Sequence, residues 1–245
     1  MNIIYRISSG GYKKEKPEYA TKQNCLLNAL SRFPLSSHEW LVIADGLKPD
    51  LYDFVEGLEL PTKYVQVGHG AGTFCMAMEE AMRKEDDEIV YFLEDDYLHQ
   101  EQSEKALNQA FDLPVDYATL YDHPDKYLKK ENGGNPLCEK GAELSYCFKT
   151  DACWWKTTNS TTMTFAARAK TLKQDWPFIQ PYVSERHPHD FPMWLELRRR
   201  GRLLVSPMPS YATHCETAWL ADDKFLGGWK DVAANGGGVA NTRKL

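Results

Sequence analysis

Three carboxylates, Glu94-Asp95-Asp96, follow directly on the apolar run Ile89-Val90-Tyr91-Phe92-Leu93. Adjacent acids repel one another, and packing gives no reason to collect them. A hard divalent cation would reconcile them, because carboxylate oxygens suit magnesium or manganese. The bland alternative is a solvated acidic loop. The apolar run decides between the two: it is short, β-branched and aromatic, and so predicts a strand buried on both faces. Such strands belong to α/β sheets, where ligands sit just past the carboxyl ends.

Two further groups could do chemistry. Trp40-Leu41-Val42-Ile43-Ala44 is a second buried strand that ends in Asp45-Gly46; Asp45 is placed to bind, although Asp-Gly is also ordinary turn chemistry. The stretch Glu185-Arg186-His187-Pro188-His189-Asp190 precedes a helix. Asp190 has helix N-cap chemistry, with Pro192 two positions on. A cap alone would not explain two histidines, an arginine and a second acid ahead of it. Asp190 is therefore a candidate general base, its basicity supplied by local desolvation. His214, after the last strand, completes an imidazole-plus-two-carboxylate set that suits manganese, although a lone histidine is more often structural. Weaker signals are Ser8-Ser9-Gly10-Gly11, which could cradle a phosphate, and His69 in Gly68-His69-Gly70-Ala71-Gly72. The first of these lacks the lysine spacing of a P-loop and the GxGxxG of a dinucleotide fold.

The elements that would position these groups alternate. Strands are predicted at 2–8, 40–44, 62–67 and 89–93. Helices are predicted at 19–32, near 49–57 and from 70 to about 84. The alternation implies right-handed crossovers and a mostly parallel sheet flanked by helices. Past Tyr97 the pattern weakens. A helix at 103–111 and a strand at 117–121 lead to a long polar loop, 122–136. Strands at 143–149 and 152–157 suggest mixed or antiparallel pairing. Residues 159–165 are rich in hydroxyls and lead to a predicted helix at 166–174, and 202–205 makes the last strand. From Lys224 onward the chain reads as a flexible tail or lid.

The 245 residues suffice for one sizeable core, so one domain is the simplest count. A net charge of −6 argues against nucleic acid as the partner. No apolar run is long enough to span a bilayer, and the opening strand leaves no room for a signal peptide. Six cysteines without a CxxC pair read as thiols in a reducing cytoplasm.

Taken together, the motifs resemble the GT-A fold glycosyltransferases that use nucleotide sugars, family 2-like. The likeness rests on the opening strand with Asp45 at the second strand's end, on Tyr91-Phe92-Leu93-Glu94-Asp95-Asp96 as a DxD-type motif, on Asp190 ahead of Trp194-Leu195-Glu196-Leu197, and on His214. The resemblance implies a single GT-A (Rossmann-like) α/β domain over 1–220, with a nucleotide-sugar half at 1–100 and an acceptor half at 101–220. It implies Mn²⁺ or Mg²⁺ held by Asp96, Asp95 and His214, and a donor nucleotide sugar contacted by Arg6, Ser8, Asp45 and Asp95. Asp190 would be the base of an inverting transfer to a glycan, lipid-linked or other hydroxyl acceptor. The protein would be cytoplasmic, with peripheral attachment to a membrane left open. Two departures stand out: the motif is Glu-Asp-Asp rather than Asp-x-Asp, and the opening strand ends Arg6-Ile7-Ser8-Ser9 in place of the usual Pro-Thr-Tyr-Asn. A sugar nucleotidyltransferase and a non-catalytic carbohydrate-binding protein are the competing readings.

Overall fold

A computed structural model describes residues 1–11, 14–223 and 227–236. In chain order the elements are β1 (Asn2–Ser8), α1 (Lys22–Arg32), β2 (Glu39–Asp45), α2 (Pro49–Glu56), β3 (Thr62–Val65), α3 (Gly70–Ala81), β4 (Ile89–Glu94) and β5 (Tyr97–His99). There follow α4 (Ser103–Ala110), β6 (Tyr117–Ala118), β7 (Cys147–Lys149), β8 (Trp154–Thr157), β9 (Phe165–Arg168), α5 (Ala169–Ile179), α6 (Asp190–Arg199), β10 (Leu204–Met208), β11 (Ala212–His214) and α7 (Trp229–Gly236). The architecture is mixed α/β, with a mostly parallel central sheet flanked by helices. The chain forms two compact units that interleave in sequence. The first is Met1–Lys13, Phe33–Asp95 and Thr162–Arg202; the second is Lys14–Arg32, Asp96–Thr161 and Leu203–Leu245.

In the first unit the strands lie in the order β3-β2-β1-β4-β9. The first four are parallel, and β9 runs antiparallel to β4. Strand β4 is buried through Val90, Tyr91, Phe92 and Leu93, as its β-branched and aromatic composition requires. Its Phe92 ring meets Phe74 of α3 at 5.3 Å and Phe165 of β9 at 5.2 Å, and Phe165 meets Trp194 of α6 at 4.9 Å. Each such ring removes enough apolar surface from water to contribute roughly 1.5–3 kcal/mol. This ladder ties α3 and α6 to the strand that carries the acids. At the entry to α3, a Cβ on Gly72 would meet the Val67 side chain at 2.3 Å, so close packing of helix on loop requires glycine there.

Strand β9 corrects a sequence expectation. Residues 166–168 were expected in a helix, on the helix propensity of Ala166 and Ala167. Pairing with β4 overrides that propensity, because Phe165, Ala166 and Ala167 are fully buried there. The helix begins only at Ala169.

In the second unit β6 and β10 are parallel, β8 runs antiparallel to β10, and β7 antiparallel to β8. A separate pair, β5 and β11, sets Tyr97 opposite His214. The polar stretch between β6 and β7 holds no strand but two short 3₁₀ turns, Pro124–Tyr127 and Lys130–Asn132. Part of the expected tail is α7: Trp229 is buried, its indole N–H donates to the Ala221 carbonyl at 2.8 Å, and the Asn28 amide of α1 donates to the Val232 carbonyl at 3.4 Å. Residues 224–226 and 237–245 of that expectation lie outside the described residues. No helix among the described residues is long and apolar enough to cross a membrane.

Candidate functional site

In the first unit the strand order 3-2-1-4 reverses between β1 and β4, and such a switch point is where open α/β sheets bind ligands. Parallel register sets Arg6 opposite Glu94 and Ser8 opposite Asp45. The Ser8 backbone N–H donates to Asp95 Oδ2 at 2.9 Å, which orients that carboxylate at the end of β1. Asp45 is 4% exposed and accepts from the Val67 N–H at 2.7 Å and the Gly68 N–H at 2.8 Å. It therefore holds the loop that enters α3. Gly68 is left-handed at φ +77°, which glycine adopts without strain.

Arg6 lies beneath that loop. Its guanidinium pairs with Glu94 at 3.1 Å, donates to the Gly70 carbonyl at 3.2 Å and lies 5.4 Å from the centre of the Phe74 ring. At 6% exposure it braces α3 and Glu94. Thr164 of the hydroxyl-rich stretch donates to Glu94 at 3.2 Å. His69 is the N-cap of α3: its Nδ1 accepts from the Gly72 N–H at 3.0 Å.

The loop that Asp45 holds is also the anchor of the Asp190 segment. Arg186 donates from its guanidinium to the Gly68 carbonyl at 3.2 Å, and its own carbonyl accepts from the Ala71 N–H at 3.4 Å. Asp190 itself is the first residue of α6, not its N-cap as the sequence suggested; that position is taken by His189. Asp190 Oδ1 accepts from the Phe191 N–H at 2.7 Å, so the exposed helix end orients the carboxylate. Asp45, the loop 67–71 and Arg186 are thus joined by direct contacts, and Asp190 follows Arg186 by four residues on the segment so anchored.

The second unit holds Asp96 and His214. Asp96 Oδ2 receives both the His214 Nε2 at 3.1 Å and the Lys16 ammonium at 2.8 Å. His214 stacks on Tyr97 with ring centres 5.2 Å apart. Its Nδ1 lies 3.9 Å from Glu216, which in turn pairs with Lys14 at 2.7 Å. Burial opposes ionisation of Asp96, but His214 and Lys16 outweigh it and hold the carboxyl well below the usual carboxylate range.

Magnesium and manganese prefer about six hard donors in near-octahedral array. Among the described residues no three His, Cys, Asp or Glu side chains gather to hold a metal ion. Asp95 is engaged by the Ser8 N–H, and Lys16 sits on the Asp96 oxygen that a metal would use. As placed, these residues do not fit a resident divalent ion.

Sequence reasoning missed Lys14, Lys16 and Glu216. Glu216 carried a usable signal, because it lies two residues past His214 and so on the same side of an extended chain. Lys16 carried none, since no spacing rule links residue 16 to residue 96.

No family model and no curated protein matches the chain. Solved structures do. CMP:2-keto-3-deoxy-manno-octonic acid synthetase complexed with CTP is 14% identical, with a TM-score of 0.49, over 83% of this chain and 87% of that one. TarS of S. aureus is 16% identical, with a TM-score of 0.49, over 86% of this chain and 36% of that one. A nucleotidyl transferase from Methanothermobacter thermautotroptrophicus is 10% identical, with a TM-score of 0.44, over 84% of this chain and 86% of that one.

Proposed function

We propose that the chain is a glycosyltransferase that moves a sugar from a nucleotide-diphosphate donor to a hydroxyl acceptor, with inversion. One observation carries the reading: the oriented acids of the first unit sit at a topological switch point, and the Asp190 segment is pinned to the same loop as Asp45. Asp45 and Asp95 would contact the hydroxyls of the nucleoside, and the Ser8 end of β1 would lie alongside it. Arg6 would act from below, by fixing Glu94 and the start of α3. Asp190 would accept the proton of the acceptor hydroxyl as its oxygen attacks the anomeric carbon. The bond from that carbon to the diphosphate oxygen breaks, and the nucleoside diphosphate leaves with the electron pair. The acceptor would be a glycan, free or lipid-linked. The six free cysteines support a reducing compartment, and hence the cytoplasm.

A second reading, a sugar nucleotidyltransferase, is favoured by the Gly-rich, basic run Gly10-Gly11-Tyr12-Lys13-Lys14 that follows β1, the kind of loop that takes a nucleoside triphosphate. One screen separates the two. UDP-, GDP-, dTDP- and CMP-sugars are tested for a rise in melting temperature, since a ligand of the native state stabilises it by linkage. Transfer to hydroxyl acceptors is then followed by product analysis. The glycosyltransferase reading expects one nucleotide class to bind, and expects Asp190→Asn to keep donor binding while losing roughly 10²–10⁴-fold in transfer. Loss of donor binding in Asp190→Asn would remove the base role. Pyrophosphate release from a sugar 1-phosphate and a nucleoside triphosphate, without transfer from any nucleotide sugar, would establish the second reading.

A further inference from the structure

Where the resemblance implies a divalent metal, the second unit holds a lysine. We propose that Lys16 is the built-in counter-cation of the Asp96–His214 pair, so that this cluster works without a resident divalent ion. The proposal concerns the second unit alone and does not depend on the transferase reading.

The geometry makes Lys16 and a metal competitors. Asp96 Oδ2 accepts from the Lys16 ammonium at 2.8 Å and faces His214 Nε2 at 3.1 Å. An ion bound to that oxygen and that nitrogen would sit about 2.1 Å from each. It would then share one oxygen with an ammonium and be repelled by it at close range. His214 Nε2 cannot ligate while it donates a proton to Asp96. Either partner would have to leave before a metal could enter.

Lys16 is held in place by the chain around it. Lys14 pairs with Glu216 at 2.7 Å, the Glu15 carbonyl accepts from the Thr217 N–H at 2.9 Å, and Lys16 pairs with Asp96. Three consecutive residues are thus fastened to residues 216, 217 and 96. The Cys215 N–H donates to the Asp96 carbonyl at 2.7 Å, which fixes the two acid-bearing segments to each other. With its neighbours anchored, the Lys16 side chain loses little further freedom in reaching Asp96. A divalent ion must break this contact, so its apparent affinity falls by the fraction of time the contact is open.

The test is Mn²⁺ binding alone, without nucleotide, read from the electron paramagnetic resonance of the free ion. Wild type, Lys16→Met and Lys16→Met/His214→Ala are compared, with circular dichroism to verify folding. The expected result is an affinity about tenfold or more higher in Lys16→Met than in wild type, lost again in the double variant. Equal binding by wild type and Lys16→Met overturns the proposal, as does binding by neither. A second measurement uses only variants that keep Lys16. Millimolar Mn²⁺ should leave the melting temperature of the wild type unchanged, and a rise that disappears in Asp96→Asn would overturn the proposal. Neither readout involves sugar transfer, so an inactive protein in the donor screen would leave the result intact.

Discussion

The two units hold their acids by different means. In the first, the acids at the strand and helix ends are mostly held by backbone N–H groups: Asp45 by Val67 and Gly68, Asp95 by Ser8, Asp190 by Phe191. In the second they are mostly held by side chains: Asp96 by the Lys16 ammonium and the His214 imidazole, Asp122 and Glu143 by Lys156, Asp125 by Lys126, Glu216 by Lys14. A backbone donor is fixed by the fold and cannot be exchanged. A lysine can swing away or be replaced by another cation, but its loss leaves buried charge behind. Asp45, Asp95 and Asp190 are therefore placed once and held, whereas the side-chain-held acids, Glu94 on Arg6 in the first unit and those named in the second, depend on partners that substitution or pH can remove.

The largest effect is expected at Lys156. Its ammonium lies 3.0 Å from Asp122 and 3.0 Å from Glu143, whose side chains are 11% and 6% exposed, and 5.2 Å from the centre of the Tyr127 ring. Burial works against the charged lysine, but the two acids raise its pKa well above the ordinary value. Lys156→Met removes the cation between two half-buried carboxylates. It should cost roughly 3–5 kcal/mol, measured by denaturant unfolding. Adding Glu143→Gln should recover part of that loss, because it removes one of the two stranded charges. A double variant no more stable than Lys156→Met would show that lost packing, not charge, sets the cost.

Acid should act on the second unit through two of its titratable groups, His99 and Asp125. His99 is fully buried; burial first, and the Arg32 cation second, push its pKa down to about 3. An unfolded histidine titrates near ~6.5. The folded form therefore binds fewer protons, and His99 contributes stability that is full above about pH 6.5 and lost as pH falls toward the folded value. The span between those values corresponds to about 5 kcal/mol. Asp125 acts lower: burial opposes its ionisation, but His123 and Lys126 hold it near about 2, so its contribution fades only below about pH 4. Urea midpoints measured from pH 7 to 4 should fall in wild type and stay flatter in His99→Gln. Parallel curves would remove His99 as the cause.

What could be read from the sequence follows the same division. The strand ends of the first unit were legible, because Ile89–Leu93 and Trp40–Ala44 are buried runs and a backbone-held acid sits beside its own strand. Asp45 is the last residue of β2, and Asp95 and Asp96 stand just past β4. Strand β9 was not legible, since its residues have helical propensity and only pairing with β4 makes them extended. Asp190 was legible as a helix start but misplaced by one position, because His189 and Asp190 both suit a helix entry. Most cation-held acids of the second unit were illegible: Lys16 and Asp96, or Glu143 and Lys156, meet only through tertiary structure. The expected set Asp95, Asp96 and His214 rested on side-chain chemistry, on the end of a buried strand and on the resemblance, and none of these could reveal the lysine on Asp96.

The smallest of these effects should come from Asp45, and it decides whether the comparison is sound. Asp45 is as buried as Lys156, at 4% exposure. Its partners are two backbone N–H groups, with Gly68 donating to both oxygens, at 2.8 and 3.1 Å. Asp45→Asn keeps one carbonyl oxygen for Val67 but turns an NH₂ toward the Gly68 donor. One charge-assisted bond is weakened and another is lost, and no buried charge is stranded. The expected cost is about 1–3 kcal/mol, smaller than that of Lys156→Met and measured by the same urea series. Local loosening should concentrate at residues 67–71, where faster amide exchange would show it. If Asp45→Asn proved the costlier of the two, the carboxylate would be carrying more than its backbone contacts, and the distinction between fixed and exchangeable acids would have to be redrawn around its charge.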